Sequence, residues 1–476
     1  MIEEKSHLPN RSNMSKSWTK YLLWFAQEHV DFRFAEINSL MSLFNIEMRF
    51  VRKPKDEPYW IVEFPSEVEV KLLASRSVSL RNCIELWAHA PNVQKLHEEL
   101  KLYPKSLMQP YIQADKSFKI EVDTFCKHFS QKEKVDKLEA FSYLPVDGPV
   151  DLKTPDVTFQ YIEYYGIIPH CPPEQPYEVF FGRWVASGLR QLIKKLSLKT
   201  RKFIGNTSMD PQLSLLMANQ AKVTDGSLVL DPFVGSGSLL VAATQFGGYV
   251  WGTDIDYLML HGRTRPSRIH QKTRDRDESV RANMKQYNME HRYMDVLVND
   301  FATPFWREDF RFDAVITDPP YGIREATERV GTKKEGYEVK AEHLPTHIPA
   351  KIEYGISNIY KDLLRFSARH LRVGGRLVCW FPVFREDYTE NVLPHHPCLE
   401  LVSNSEQTLS KVTSRRLLTF EKTREPTEDE LDEYPVDIMD FREKYFVIRE
   451  ETRKERRMKE AKIREDDRLR NLNKQS

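Results

Sequence analysis

Asp318-Pro319-Pro320-Tyr321-Gly322 follows directly on the apolar run Phe312-Asp313-Ala314-Val315-Ile316-Thr317. The run reads as a buried parallel strand, which puts the turn at a strand's carboxyl end, where ligands of open α/β sheets bind. Two successive prolines fix φ and bring no backbone donor, so nearby carbonyl groups are left to accept hydrogen bonds. The Asp318 carboxylate accepts as well, and Tyr321 offers a ring face for stacking. Acceptors beside a ring face suit the exocyclic amino group of a flat base. The turn therefore reads as an amine-methylation site rather than a hydrolytic one, with Asp318, Pro319, Pro320 and Tyr321 as the candidate catalytic residues.

A second group of residues precedes it. Leu228-Val229-Leu230 reads as a first strand, followed by Asp231-Pro232-Phe233-Val234-Gly235-Ser236-Gly237 and an apolar helix from Ser238 to Ala243. Gly235 and Gly237 let the backbone come close to a ligand at a helix N-terminus. A dinucleotide fingerprint would want Gly or Ala three residues after Gly237; Leu240 stands there and argues against a nicotinamide oxidoreductase. The second strand, Tyr249 to Gly252, ends at Asp254, with Asp256 following, and an acid at that place can take both hydroxyls of a ribose. After a third strand, Tyr293 to Val298, Asp300-Phe301 suits an adenine amino group and ring. Asp210-Pro211 is a helix start, with Asp as cap and Pro at the first position; Leu213, Leu216 and Met217 read as its core face. Thr207 and Met209, just upstream, can close over a cofactor. The candidate cofactor-binding residues are thus Thr207, Met209, Asp231, Phe233, Gly235, Gly237, Asp254, Asp300 and Phe301. Any one of these acids is commonly a cap or turn residue. Their order decides: Gly-rich turn, strand-end acid, second acid and Asp-Pro-Pro-Tyr follow strands one to four in turn.

These groups need a scaffold, and the pattern supplies one. Residues 206–421 repeat strand, turn and helix, as in a doubly wound α/β domain. Residues 18–170 mix helical spacing (Phe34 to Leu43) with strand-like runs at Tyr59–Phe64, Cys83–Trp87, Phe118–Val122 and Val157–Tyr164. Val150 to Asp156 reads as a turn. That region is α+β, has no Gly-rich loop or clustered catalytic groups, and reads as a binding module. Residues 171–205 read as a basic linker: from Phe181 to Gly205 there is no acidic residue. Leu189, Ile193 and Leu196 would line one helical face there, leaving Arg190, Lys194, Lys195, Lys199, Arg201 and Lys202 as candidate RNA-binding residues. A solvated connecting helix is the alternative. Ile323 to Ser357, charged and carrying Gly331 and Gly336, is either a mobile lid over the base or a surface loop. Residues 422–476 read as a charged, solvated helical tail.

Composition bounds the rest. The 476 residues suit two to three domains at roughly 150 residues each. Lys+Arg 71 against Asp+Glu 70 gives a net charge of +1, so nucleic-acid binding must come from local clustering. The five cysteines form no CxxC pair, which points to a reducing, cytoplasmic setting and no metal site. His395, His396 and Cys398 stand close together but lack a second ligand pair. No apolar stretch is long enough to span a membrane.

Asn206 to Asp210, Met217 to Gln220, Asp231 to Leu240, Gly252 to Asp256 and Asp318 to Glu325 closely resemble the catalytic subunit of the eukaryotic tRNA guanosine-10 N2-methyltransferase family. Val150 to Asp156 resembles the end of that family's THUMP domain, and the Arg/Lys-rich Gly262 to Asp277 is also similar. The resemblance covers most of residues 20 to 421. It implies a class I methyltransferase sheet using S-adenosylmethionine, preceded by an α+β THUMP-type RNA-binding region that engages tRNA. It also implies N2-methylguanosine at position 10 as product, and a small zinc-binding activator subunit as heterodimer partner. Two alternatives stand beside it: an adenine N6-methyltransferase acting on nucleic acid, since Asp-Pro-Pro-Tyr suits that amine too, and a non-catalytic RNA-binding subunit.

Overall fold

The computed structural model describes residues 18–54, 57–168, 171–303, 305–334, 339–340, 342, 347–432, 441–450 and 458. The chain divides into two compact units. One runs to Arg33 and resumes over Leu40–Leu192; the other takes Phe34–Ser39 and Ile193 onward. Among the described residues no helix is long and apolar enough to cross a membrane.

The first unit is built on seven strands: β1 (Thr19–Phe25), β2 (Arg49–Phe50), β3 (Tyr59–Phe64), β4 (Leu80–Ala90), β5 (Phe118–Phe125), β6 (Val157–Tyr164) and β7 (Glu178–Ser187). Their order is β2-β3-β1-β4-β7-β6-β5. Only β5 and β6 run parallel; the other pairs are antiparallel. Successive side chains of a strand face opposite ways, so Phe181 packs with Trp87, Phe159 and Leu96 on one face while Phe180 packs with Trp24, Ile84 and Ile162 on the other.

That sheet corrects the basic linker. Its first part, Glu178–Ser187, is the strand β7, paired on both sides by β4 and β6. Arg183 is buried there, its Nε 2.8 Å from Glu85 and its guanidinium bonded to Glu67 and lying over the Tyr111 ring. Counted along the chain, Arg183 is an unopposed cation; in the sheet, two carboxylates from distant segments neutralise it. What remains of the expected helix is the short turn Gln191–Lys195, with Leu192 and Leu196 buried rather than a Leu189–Ile193–Leu196 stripe.

The second unit carries β8 (Leu228–Asp231), β9 (Tyr249–Asp254), β10 (Tyr293–Val298), β11 (Phe312–Thr317), β14 (Leu371–Phe384), β15 (Leu399–Thr408) and β16 (Thr413–Lys422); β12 (Glu328–Val330) and β13 (Lys351–Glu353) form a separate hairpin. The order is β10-β9-β8-β11-β14-β16-β15. Pairs from β10 to β14 are parallel, whereas β16 runs antiparallel to β14 and β15. Strands covered on both faces read as apolar runs, which is why β8 and β11 are legible. The sheet buries Leu230, Val315, Leu377, Phe381 and Phe420 against the helix Ile356–His370. That helix presents Ile356, Ile359, Tyr360, Leu363 and Leu364 at helical spacing.

Candidate active site

The carboxyl ends of β8, β9, β10 and β11 open on one cavity of about 750 Å³, a volume suited to a small ligand. Thr207, Met209, Asp231, Phe233, Gly235, Asp254, Asp300 and Phe301 line it together with Asp318, Pro319, Pro320 and Tyr321. The cap expected upstream is present: Asp210 accepts from the backbone N–H groups of Gln212 and Leu213, with Pro211 at the first position of the helix Pro211–Gln220. That helix is buried all round, so Leu213, Leu216 and Met217 are core residues. Gln220 at its end accepts from Thr419 at 2.7 Å and is also structural.

The strand-end acids are fixed by backbone donors. Asp254 accepts from the Gly235 N–H at 2.8 Å and from the Asp256 N–H at 2.9 Å, which ties the Gly-rich turn to the second strand. Asp300 accepts from the Ala302 N–H and, at 2.8 Å, from the Val330 N–H of β12. Phe301 meets Phe233 edge-on at 5.2 Å. Gly235 takes a positive φ and fronts open space, as a ligand-cradling residue does. Gly237 has a different role. Its φ is +77°, and a Cβ there would lie 2.6 Å from Val280, so this glycine serves the packing under the turn rather than ligand contact.

Asp231 is buried and accepts from Thr317 Oγ1 at 2.8 Å and the Phe233 N–H at 3.1 Å. Burial, helped by the nearby charges of Asp254 and Asp318, pushes its carboxyl up to about 8. Burial also raises Asp254 and Glu325. Such a set of desolvated acids fits a ligand that brings positive charge.

At the candidate catalytic turn, Asp318 accepts from the Tyr321 hydroxyl on one oxygen and from Arg415 Nη1 at 3.0 Å on the other. Burial raises the Asp318 carboxyl; Arg415 and the Tyr321 hydroxyl oppose that. Arg415 lies on β16, its guanidinium 3.9 Å from the centre of the Trp380 ring, with Nε 2.7 Å from Gln407. Sequence reasoning missed this residue. It stands far along the chain from Asp318, and no local pattern marks it. Tyr321 is anchored by its hydroxyl, so its ring is held in place beside Asp318.

The hairpin β12–β13 also borders the cavity through Glu328, Lys351 and Tyr354. The flanks of the expected lid are thus paired strands rather than surface loop; residues 335–338, 341 and 343–346 lie outside the described residues.

The candidate RNA-binding residues divide. Lys194, Lys195 and Lys199 are exposed. Lys202 is exposed and paired with Asp277 at 2.9 Å, and Arg190 bonds the Val78 carbonyl and Glu28. Arg201 cannot serve: it is 1% exposed and donates to Ser238 Oγ and the Leu196 carbonyl, both at 2.9 Å. In the Arg-rich stretch Gly262 to Asp277, Arg268 and Arg274 work inward, on the carbonyls of Lys202 and Arg201 and of Thr264 and Ile204 respectively, whereas Arg263, Arg265, Lys272 and Arg276 are exposed.

Residues 19–190 match the family model described as the Tmrp11 THUMP N-terminal domain, and residues 199–339 match the RMKL-like methyltransferase domain. The chain is 46% identical over 448 residues to the tRNA (guanine(10)-N(2))-methyltransferase TRMT11 of Homo sapiens, covering 91% of this chain and 96% of that one. It belongs to this methyltransferase family. The Bos taurus member is 47% identical over 90% of this chain and 95% of its own. The tRNA (guanine(10)-N(2))-methyltransferase of Saccharomyces cerevisiae is 34% identical over 84% and 92%. The family membership confirms the α/β methyltransferase reading of the second unit and the THUMP reading of the first.

Proposed function

We propose that this chain transfers the methyl group of S-adenosylmethionine to the exocyclic N2 of guanosine 10 in tRNA, as the catalytic subunit of a cytoplasmic heterodimer with a small zinc-binding activator. The observation that carries the reading is one cavity bordered both by strand-end acids suited to a cationic nucleoside and by the Asp318-Pro319-Pro320-Tyr321 turn suited to an amino group. The names of the relatives supply the base and its position.

In this reading, Asp254 takes the ribose hydroxyls, Asp300 and Phe301 hold the adenine, and Gly235 lets the backbone approach. The cofactor, when bound, supplies an electrophilic methyl group on a sulfonium. Guanine N2 is a poor nucleophile because its lone pair is conjugated into the ring. Asp318 and the Pro319 carbonyl accept its two hydrogens and turn that lone pair toward the methyl. Arg415 holds the Asp318 carboxylate in place and opposes the rise that burial imposes on it. Once N2 carries positive charge it is acidic, and Asp318 takes the proton. Orientation and fixed dipoles, rather than a strong base, do most of the work. The base must first leave its stack, at a cost of a few kcal/mol, which binding by the THUMP-type unit and the exposed lysines helps to offset.

The test is methyl transfer from labelled S-adenosylmethionine to total tRNA, with and without the activator, followed by nucleoside analysis. N2-methylguanosine formed only with the activator is the expected result. N6-methyladenosine would transfer the reading to the adenine alternative, and cofactor binding without product on any RNA would favour the non-catalytic one.

A further inference from the structure

The cavity has a wall that neither the motifs nor the matched domains account for. Residues 441–450, separated by more than a hundred residues from the catalytic turn, form a helical segment, and Phe441 and Tyr445 line the same cavity as Asp318 and Tyr321. Phe441 is buried, its ring 4.7 Å from that of Phe384 at the end of β14. Arg442 packs on Gly322, the glycine closing the catalytic turn: a Cβ there would lie 2.9 Å from the Arg442 Cδ. The same arginine pairs with Glu353 of β13 at 3.6 Å, and Lys444 pairs with Asp387. Three separate elements therefore hold this segment: the catalytic turn, the strand end beyond it and the hairpin.

The placement says which half of the cavity the segment serves. The cofactor candidates stand at the ends of β8, β9 and β10, on one side of β11 in the sheet; Phe384 stands at the end of β14, on the other. Phe441 is spent on anchoring. Tyr445, one helical turn on and half-buried, stacks at 27° to Phe441 and borders the cavity. We propose that this segment completes the target-nucleotide site, with Tyr445 contributing a ring on which the extruded purine stacks. The inference rests on the methyl-transfer reading above and deepens it: the base would be held by a residue of the C-terminal segment as well as by the Asp318 turn.

Tyr445→Ala and Tyr445→Phe in the full-length chain, with the activator present, test it. Base–aromatic stacking implies a loss of roughly 5- to 100-fold in kcat/KM for tRNA in Tyr445→Ala. Tyr445→Phe keeps the ring and should stay close to the parent. Affinity for S-adenosylmethionine and the melting temperature should be unchanged in both. Turnover of Tyr445→Ala within twofold of the parent overturns the proposal, as does an equal loss of cofactor affinity, which would mark a packing role. Failure of the methyl-transfer reading is separable, because the parent chain itself would then yield no methylated guanosine.

Discussion

Arg415 changes how Asp318 should be understood. A carboxyl buried at a strand end drifts toward its neutral form, and only the guanidinium and the Tyr321 hydroxyl oppose that drift. Neutral Asp318 would hold one hydrogen-bond acceptor too few and could not take the late proton. Asp318→Ala should cut turnover by about 10²–10⁴ while leaving cofactor binding largely intact. Arg415→Gln should leave Asp318 with a higher pKa, so the acid limb of the pH–rate profile moves upward and activity recovers toward the parent in alkaline buffer. A mutant-to-parent ratio that stays flat across pH would remove Arg415 from this role. Asp231 offers a second titration. Its folded-state carboxyl is pushed up to about 8, against about 3.9 in an unfolded chain. The stability associated with its protonated form is complete below the unfolded value and is lost as pH rises through about 8. The free chain should therefore melt at lower temperature at pH 9 than at pH 6, and Asp231→Asn should flatten that slope. A parent-like slope in the variant would assign the effect to other groups.

At the scale of elements, the basic stretch after β7 separates into cations that face water and cations that hold the fold. Lys194→Ala, Lys195→Ala and Lys199→Ala combined should weaken tRNA binding and reduce the salt slope by up to about 0.9 for each phosphate no longer neutralised, with no change in melting temperature. Arg201→Ala should instead destabilise by about 1–3 kcal/mol, because it leaves Ser238 and the Leu196 carbonyl without their buried donor. Equal salt slopes in parent and triple variant would make the lysines bystanders. The same contrast shows what the sequence could and could not reveal. Strands β8 and β11 are legible because burial on both faces leaves apolar runs, and their ends are legible because Gly235, Asp254 and Asp318 carry chemistry locally. β7 passes for a basic linker because its one buried cation is neutralised by Glu85 and Glu67, which only the sheet brings alongside. Arg415 and Tyr445 are invisible for the same reason: tertiary structure alone brings Arg415 onto Asp318 and Tyr445 to the cavity that Asp318 lines, each from a segment with no motif of its own.

For the whole molecule, a net charge of +1 means that neither tRNA nor a partner is gathered by bulk attraction, so each must meet a local surface. The proposed activator has a candidate surface at β10. Among the described residues this strand is paired on one side only, by β9, and ends the sheet. Exposed sheet edges invite strand addition and are usually blunted by charge, proline or a covering element. Here Met294, Leu297 and Val298 are 47%, 39% and 46% exposed, with one exposed charge, Asp295, among them. The strand also leads into Asp300 and Phe301, so a partner laid along it would hold the wall of the cavity that these two residues form. Met294→Lys with Leu297→Lys should abolish association with the activator and reduce turnover to that of the chain alone. The melting temperature of the isolated chain should hold or rise, since no core residue is touched. Co-purification and activity at parental levels would place the partner elsewhere; loss of the fold in the isolated variant would show that β10 supports the sheet from within. The expected pattern, association abolished with the fold intact, would link the open edge to the cavity it borders.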